Sequence, residues 1–359
     1  MKPKDYSTSG VDVSAADNWV AGLQKKSLLA RSEKDAKLIS GIGDYAAVYA
    51  SSAEQWTALS CDGVGSKLLW TQEGLGTPEA LAQDLVAMNA NDVLCVGATP
   101  ALFLDYLAVG SKQLLAPGAL LDRFMNGLWE ACADSEQILV GGETAQLPDL
   151  YAPHHFDLAG FCVGYMKPSG RLSVDSIEHG AQVWGWPSSG PHANGFTWLR
   201  KIYSADKDKT FISESFMKPT ELYIKRFKKF RDALKVASAL QASFHITGSG
   251  LLNFLRAQPK TREIGFRFDG WDQYLGNDSK SRLSNSPPWL KETARRALAQ
   301  GTERIELYRT FNMGIGMALV IEPGFAEQNS QWLLGMGLIY LGVVTNTGHI
   351  EVGSLILKD

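Results

Sequence analysis

The chain has 359 residues, of which 45% are apolar and 20% are charged, the composition of a packed globular protein and not of a disordered one. At roughly 150 residues per domain, this length predicts about two domains. The net charge of −3 supplies no bulk positive field to hold a polyanion, which argues against nucleic acid as a partner.

Cysteine spacing and hydropathy predict a soluble protein of the reduced cytoplasm. The cysteines are widely spaced and form no Cys-x-x-Cys pair, so neither a zinc ribbon nor a redox motif is indicated. The first ten residues, MKPKDYSTSG, lack the apolar stretch of a secretory signal. No run of about 18 uncharged apolar residues could span a membrane, so we expect no membrane partner.

Apolar periodicity predicts alternating strands and helices in the first half of the chain. Residues 53–60 should form a strand that runs into a glycine turn beginning at Asp62. Residues 78–95 predict a helix whose end carries Asn91 and Asp92. Buried strands are predicted at 101–109 and 156–166, with a helix at 117–134 between them.

A domain boundary is predicted at residues 167–170, where proline, glycine and polar residues interrupt the pattern. The chain should therefore divide into an N-terminal domain, 1–167, and a C-terminal domain, 168–359. In the second domain we predict a strand at 182–186, a glycine-bearing loop at 188–195, helices at 196–203 and 220–240, and a glycine turn at 247–250. The fold class is mixed α and β.

The run DGVGSK, residues 62–67, is a candidate phosphate site. The chain has no P-loop and no dinucleotide-binding Gly-x-Gly-x-x-Gly after a strand, so these glycines need another explanation. The run offers a carboxylate, backbone amides, a hydroxyl and an ammonium, groups that hold metal-bound phosphates. They come from Asp62, Gly63, Gly65, Ser66 and Lys67. The structural alternative is a strand-end turn with a solvated lysine.

Acidic residues near predicted element ends are candidate magnesium ligands, since Mg²⁺ prefers oxygen donors and keeps several waters. The plausible set is Asp62, Asp92 and Glu143, the last within GGETAQLPDLY, residues 141–151. Taken singly, each could instead cap a helix or satisfy backbone amides in a turn.

The loop SSGPHANG, residues 188–195, is the candidate substrate site of the second half. It places hydroxyls, backbone amides, His192 and Asn194 directly before a helix, and helix N-termini attract phosphate. Alternatively, Asn194 caps the helix and His192 is an exposed loop side chain. His245 is either a half-buried, hydrogen-bonded histidine or part of an anion site with the turn that follows it.

Taken in order, these motifs resemble the phosphoribosylformylglycinamidine cyclo-ligases, the aminoimidazole ribonucleotide synthetase family. SSGPHANG and YRTFNMGIGM, residues 308–317, are specific to that family, whereas the glycine turns occur also in relatives such as thiamine-monophosphate kinase and selenophosphate synthetase. The other motifs that carry the resemblance are DGVGSK, DLVAMNANDV (84–93), FLDY (103–106), GGETAQLPDLY, AGFCVG (159–164) and HITGSG (245–250).

The resemblance implies a two-domain fold in which strands of two N-terminal domains form a dimeric β-barrel, with ATP and Mg²⁺ near the domain junction. It implies an ATP-dependent closure of the imidazole ring of formylglycinamidine ribonucleotide, in which the formyl oxygen attacks the γ-phosphate and a nitrogen then displaces phosphate. Carried over, Asp62 and Lys67 would meet the phosphates, and Asp92 and Glu143 the metal. Substrate would contact Ser189, Gly190, His192 and Asn194, and the catalytic residues would be His192, His245 and Lys67.

Three positions depart from the pattern of these cyclo-ligases. The run GIGDYAAVY, residues 41–49, resembles the kinase and selenophosphate relatives. Gly43 should belong to the nucleotide loop, and Asp44 would repel triphosphate unless a cation lies between, so we add Asp44 to the predicted magnesium ligands. Ser66 replaces a threonine but keeps the hydroxyl. Ser249 replaces a glycine and would be strained if its φ is positive.

Two other functions remain open at this point. Asp44 favours a small-molecule kinase or synthetase of the same superfamily, whereas the substrate-side loops oppose it. A nucleotide-binding regulatory protein without turnover is opposed by the presence of Asp62, Asp92, Glu143 and His192.

Overall fold

The strands form two separate sheets, one on each side of the predicted boundary. The computed structural model describes residues 9–11, 13–30, 36–204, 209–234, 236–256, 258–259, 262–276, 283 and 285–358. All strands of the first sheet end by residue 166, and those of the second begin at residue 182. The mixed α and β class is therefore confirmed.

The elements of the first part are α1 (Val13–Ala30), β1 (Leu38–Ser40), β2 (Ala47–Ala50), β3 (Trp56–Gly63), α2 (Lys67–Gln72), α3 (Pro78–Cys95), β4 (Thr99–Val109), α4 (Leu120–Asp134), β5 (Ile138–Gln146) and β6 (Phe156–Met166). The second part contains β7 (Gln182–Pro187), α5 (Phe196–Ile202), α6 (Lys209–Phe216), α7 (Ile224–Ala233), β8 (Leu240–His245), α8 (Asn253–Arg256), β9 (Gly265–Arg267), α9 (Asp269–Leu275), α10 (Pro288–Ala299), α11 (Arg304–Thr310), β10 (Ile315–Ile321), α12 (Pro323–Gln328), α13 (Ser330–Gly335), β11 (Ile339–Thr345), β12 (Ile350–Val352) and β13 (Leu355–Leu357). No helix among the described residues is both long and apolar enough to cross a membrane.

The first sheet has the strand order β1-β2-β3-β6-β4-β5 and one covered face. Along β6, buried residues alternate with more exposed ones, as in a sheet that packs on one side only. Helices α3 and α4 cover the buried side. The other side keeps apolar side chains exposed, including Leu59, Phe161 and Tyr165.

The second sheet has the order β13-β12-β9-β11-β7-β10-β8 and is covered on both faces. Every residue of β10 is buried, and its sequence IGMALVI is continuously apolar and small, as expected for a strand packed on both sides. Its edge strand β8 lies against α3 of the first part.

Helix α3 is buried between the two sheets. Thr77 caps it by accepting a hydrogen bond from the Ala80 N–H, and Pro78 occupies the first turn, where its missing N–H costs nothing. Fourteen of its 18 residues are buried, as expected for a helix without a polar face. The chain leaves the helix at Gly97 with φ 88°, where a Cβ would lie 2.2 Å from the Gly170 carbonyl oxygen, so glycine is required there.

A buried ion pair between Lys67 and Asp84 of α3 is hydrogen-bonded to residues beyond the predicted boundary. The Lys67 ammonium lies 2.7 Å from an Asp84 carboxylate oxygen and donates to the Lys218 carbonyl at 2.8 Å. The backbone N–H and the hydroxyl of Thr220 both donate to Asp84, at 2.7 and 2.6 Å. Lys67 and Asp84 are 1% and 0% exposed, so this pair has no solvent to replace a lost partner.

The predicted helix at 78–95 and strand at 156–166 are confirmed at their predicted bounds, and the predicted strand at 101–109 and helix at 117–134 are confirmed as β4 and α4. The strand predicted at 53–60 lies three residues further along, as β3, so Asp62 and Gly63 belong to the strand and not to the turn. The predicted helix at 220–240 was wrong at both ends, since α7 spans only Ile224–Ala233 and β8 begins at Leu240. Thr220 and Tyr223 are instead held by side chains of α3, a tertiary contact that periodicity does not reveal. Ser249 has φ 78°, so the expected strain at that turn is present.

Breaking the buried pair should destabilise the protein strongly. We expect Lys67→Met to lower the free energy of unfolding by ~3–5 kcal/mol, because Asp84 would keep an uncompensated buried charge. Lys67→Met combined with Asp84→Asn should recover part of the loss, since Asn keeps an oxygen for Thr220 without the charge. Urea denaturation measures both.

The matched control is Lys225→Met, which removes an exposed partner of Asp134 and should leave the free energy of unfolding near that of the parent protein. A double variant no more stable than Lys67→Met alone would contradict this account of the ion pair.

Candidate active site

Among the predicted carboxylates, Asp92 lies within electrostatic reach of both Asp62 and Asp44. Burial, and then the charge of Asp92, raises the pKa of Asp62 to about 6. Burial also raises the pKa of Asp92, with a further contribution from the charge of Asp44, while a hydrogen bond from His245 opposes the shift. Like charges held this close in a partly dry site favour a cation between them.

Each carboxylate is held by the end of an element or a turn. Asp62 ends β3, where it accepts a hydrogen bond from the Gly63 N–H at 2.7 Å. Asp92 lies in the last turn of α3. Asp44 closes a turn in which its own N–H donates to the Gly41 carbonyl, and its carboxylate accepts from the Tyr45 N–H at 2.8 Å.

The glycine turn that contains Asp44 lines a groove of about 430 Å³ between the two domains. Gly43 has φ 99°, and a Cβ there would collide with the Gln24 side chain, so the turn needs glycine. Across the groove lie Arg171 and Ser243. Crowding by protein atoms raises the pKa of Asp44, and the Tyr45 amide and the charge of Arg171 partly oppose this.

His245 lies behind the carboxylates, at the end of β8. It is fully buried, and its Nδ1 lies 2.8 Å from an Asp92 carboxylate oxygen. Its Nε2 lies 3.3 Å from the Asn91 amide nitrogen. The structure therefore brings His245 together with Asp92, and both of its ring nitrogens have protein partners.

The SSGPHANG loop is held by the YRTFNMGIGM motif, residues 308–317, more than 100 positions later in the chain. The Ser188 N–H donates to the Gly314 carbonyl, and the Asn312 amide donates to the Gly190 carbonyl, both at 2.9 Å. The Ser189 hydroxyl donates to the Pro219 carbonyl. Residues 188–195 and 308–317, which share no local pattern, thus form one unit.

Within this unit, His192 and Asn194 carry buried polar atoms without partners. His192 is 0% exposed, and among the described residues neither of its ring nitrogens has a hydrogen-bond partner. The same holds for the Asn194 amide nitrogen within the described ranges. Burial, with the nearby His245 and Lys67, lowers the pKa of His192 well below its ordinary value. Buried polar atoms left unpaired in this way are costly and indicate a site for a ligand.

Lys67 of the DGVGSK run is buried against Asp84 and Lys218, so a contact of its ammonium with phosphate would require breaking that ion pair. This burial favours a structural role for Lys67 over the predicted catalytic and phosphate-binding roles. Ser66 pairs its hydroxyl with that of Thr197 at 2.8 Å, again joining the two domains. Gly63 lies in β3, and Gly65 follows with φ 54°.

Glu143 does not join the other carboxylates within this chain. Four residues lie side by side across neighbouring strands of the sheet: Asp62 of β3, Gly160 of β6, Asp105 of β4 and Gly142 of β5. Paired residues on neighbouring strands share one face of the sheet. Glu143 is the next residue of β5 and lies on the opposite, uncovered face. Across the described part of the chain, no group of three or more His, Cys, Asp or Glu is arranged to hold a metal ion by itself.

Sequence reasoning missed Asn91, Tyr223 and Asn312 as site residues. Asn91 lies within DLVAMNANDV and Asn312 within YRTFNMGIGM, both already recognised as motifs. Tyr223 donates its hydroxyl to the Pro187 carbonyl at 2.8 Å, directly before the SSGPHANG loop. A buried asparagine in an apolar helix was the available signal, since such a side chain needs partners.

The comparisons with known proteins show which family the chain belongs to. The family model for the AIR synthase related protein, N-terminal domain, matches residues 43–166, which carry the glycine turn and all three carboxylates. A phosphoribosylformylglycinamidine cyclo-ligase of Xylella fastidiosa is 36% identical over 354 residues, covering 94% of this chain and 92% of the relative. One of Albidiferax ferrireducens is 34% identical over 359 residues, covering 96% and 95%.

The first part therefore has the AIR synthase related domain. The chain as a whole belongs to the phosphoribosylformylglycinamidine cyclo-ligase family. Among solved structures, AaThiL complexed with AMPPCP and TMP matches with a TM-score of 0.63 over 95% of this chain and 94% of its own. Its 17% identity shows that the fold is shared.

The raised pKa of Asp62 predicts a pH dependence of stability. The folded protein holds this proton more readily than the unfolded chain, so the stabilisation is complete below about pH 4 and is lost as pH rises through about 6. At about 1.4 kcal/mol per pKa unit, the loss is on the order of 1–3 kcal/mol. Asp62→Asn should lack this loss and exceed the parent protein in free energy of unfolding at neutral pH.

Urea denaturation of both ligand-free proteins between about pH 4 and pH 7 measures the difference. Asp134→Asn, at an exposed carboxylate, serves as the control. Curves for Asp62→Asn and the parent protein that run parallel over the whole range would refute the prediction.

Proposed function

We propose that this chain catalyses the ATP-dependent cyclisation of formylglycinamidine ribonucleotide to 5-aminoimidazole ribonucleotide, with release of ADP and phosphate. The observation that carries the proposal is that the buried ring nitrogens of His192 and the amide nitrogen of Asn194 have no hydrogen-bond partner among the described residues, in a loop fastened by Asn312. These are the motifs that set the cyclo-ligases apart from their relatives, and membership of that family supports the same reaction. The Asp44 departure leaves the substrate side unchanged.

The substrate would lie against residues 188–195. The hydroxyl and amides around Ser189 and Gly190 precede α5, and His192 and Asn194 offer the unpaired polar atoms. Because its pKa is well below the ordinary value, His192 would meet the substrate as a neutral imidazole, able to form hydrogen bonds without adding charge.

ATP and magnesium would be held on the opposite side of the seam, by which we mean the boundary between the first and second parts of the chain. Asp44, Asp62 and Asp92 would bind Mg²⁺ with the help of its waters and the phosphate oxygens. This fits a site in which Asp92 is repelled by both Asp62 and Asp44, and in which the described residues do not form a complete metal shell alone. The bound metal would neutralise charge on the triphosphate. Backbone amides of the turn at Gly43 and the Arg171 side chain face the same groove.

The reaction needs positioning more than covalent chemistry by the protein. The formyl oxygen attacks the γ-phosphorus and the bond to ADP breaks; a nitrogen of the substrate then forms a bond to the former formyl carbon, and phosphate leaves. Two ligands must be aligned across the domain seam for the first step, and alignment of this kind lowers barriers substantially. The groups of α3 and of residues 188–195 are positioned for that alignment. We place the activity in the cytoplasm, where ATP is supplied.

The test is turnover by the purified protein. Incubation with formylglycinamidine ribonucleotide, ATP and Mg²⁺ should yield 5-aminoimidazole ribonucleotide and ADP in equal amounts. His192→Ala should suppress ring closure by on the order of 100-fold, while ATP affinity measured by calorimetry stays nearly unchanged, because His192 would face the substrate.

His154→Ala, at an exposed histidine of a loop, is the matched control and should keep full activity. Phosphorylation of thiamine monophosphate in place of ring closure would overturn the proposal. An equal loss of ATP affinity and turnover in His192→Ala would place that residue on the nucleotide.

We further propose that the chain forms a homodimer through the uncovered face of the first sheet. Phe161 is 40% exposed and lies beside Cys61 and Leu104 on the adjoining strands, and Leu59 is 46% exposed on the same face. A contiguous apolar patch of this kind marks an interface in soluble proteins. A barrel formed from two such sheets would cover it.

Phe161→Asp should convert the dimer to a monomer, since it would bury a charge in the apolar interface. Analytical ultracentrifugation at micromolar concentration measures the mass. Leu334→Asp, at a 49% exposed leucine of α13, removes an apolar side chain elsewhere and should leave the dimer intact. A parent protein that sediments as a monomer would contradict this assembly.

A further inference from the structure

We propose that Asn91 fixes the tautomer of His245, which makes His245 a positioning residue that orients Asp92 instead of a group that transfers protons in the reaction. The inference rests on the proposed function only in taking Mg²⁺ as the ion that Asp92 binds. The arrangement of the three side chains is independent of it.

The orientation of the Asn91 amide is set by two backbone groups. Its nitrogen donates to the Glu221 carbonyl at 3.0 Å, and its oxygen accepts from the Tyr223 N–H at 3.2 Å. A carbonyl can only accept and an N–H can only donate, so turning the amide over would break both hydrogen bonds. Asn91 is 0% exposed, and no water could replace them.

This orientation decides where His245 carries its ring hydrogen. The Asn91 nitrogen has a second hydrogen, and it lies 3.3 Å from His245 Nε2. A hydrogen on Nε2 would face that amide hydrogen, so Nε2 must accept. The hydrogen of the ring therefore lies on Nδ1, from which it is donated to the Asp92 carboxylate at 2.8 Å.

The packing of α3 on β8 keeps these groups in register. Asn91 of α3 contacts His245 of β8. One helical turn after Asn91, the Cys95 sulfur lies 3.8 Å from the hydroxyl oxygen of Ser243, which precedes His245 by two residues in β8. Four helical residues advance about 6 Å and two strand residues about 6.7 Å, so the two spacings match. His245 is therefore held at both ring nitrogens by one helix.

The two buried histidines therefore have different roles, since His245 positions Asp92 and only His192 is left to contact substrate. His245 has no ring nitrogen left for substrate, whereas His192, whose ring centroid lies 6.4 Å away, has both nitrogens unpartnered among the described residues. His245 fixes the carboxylate of Asp92, and an oriented ligand binds metal better than a mobile one. Its predicted catalytic role is thereby changed to a positioning role.

The tautomer is tested directly in the ligand-free protein by nuclear magnetic resonance of ¹⁵N-labelled histidine. We expect the His245 hydrogen on Nδ1 and an unprotonated Nε2. Asn91→Asp keeps the shape of the side chain but replaces the donor with an acceptor, and it should place a hydrogen on Nε2. A parent protein with its hydrogen on Nε2 would overturn the proposal, whatever reaction the protein catalyses.

The positioning role is tested by the Mg²⁺ affinity, measured by calorimetry with a non-hydrolysable ATP analogue. His245→Leu should weaken Mg²⁺ binding by about 10–100-fold, the usual effect of losing a residue that orients a metal ligand. His245→Asn places an amide N–H where Nδ1–H stood and should restore most of that affinity and of the turnover. His245→Gln, whose amide reaches the other ring position, should not.

Two results would refute the positioning role. One is a loss of turnover in His245→Asn as large as in His245→Leu with Mg²⁺ affinity unchanged in both. The other is equal Mg²⁺ affinity in all three variants. Absence of ring closure in the parent protein would instead reject the proposed function, and would leave the resonance assignment standing.

Discussion

The structure depends on the burial of α3 between two sheets, because this helix carries polar side chains into a region without solvent. A buried polar group must find a partner within the protein, and an unpaired one costs ~1–3 kcal/mol. Across the predicted boundary, Asp84 pairs with Thr220, and Asn91 pairs with Glu221, Tyr223 and His245. The same hydrogen bonds that satisfy the helix therefore set the position of the second part of the chain on the first.

This constraint places the candidate site at the seam. The carboxylates come from the ends of β3 and α3 and from the first glycine turn. The ring nitrogens of His192 and the amide nitrogen of Asn194, unpaired within the described part of the chain, come from the loop before α5. The two sets thus lie on opposite sides of the predicted boundary. A reaction between a triphosphate and a second small molecule requires two ligands to meet at a fixed angle, and a rigid seam supplies that without a covalent intermediate.

The environment of a side chain decides its role even where the motif or the residue type is the same. Lys67 and Asp62 lie five residues apart in one motif, yet the first is buried in an ion pair and the second faces other carboxylates. His192 and His245 are both fully buried, yet among the described residues only His245 has hydrogen-bond partners for its ring nitrogens. The first pair shares a motif and the second pair shares a residue type, and within each pair the surrounding hydrogen bonds make the difference.

The sequence by itself determined the mixed fold, the strands β3, β4 and β6 of the first sheet, helix α3 and the grouping of residues into glycine turns and a histidine-bearing loop, because periodicity and turn chemistry are local properties. It also indicated the strained position of Ser249, because a serine is disfavoured where the backbone requires a positive φ. Only the tertiary structure decided that residues 220–223 are held outside the helix, that Lys67 is buried, that Glu143 lies on the opposite face of the sheet from Asp62, and that Asn91 governs His245. Each of these depends on contacts between residues far apart in the chain, such as the 130 or more positions that separate Asn91 from its partners. Local pattern carries no record of such contacts, because they are selected by packing and by the need to pair buried polar groups.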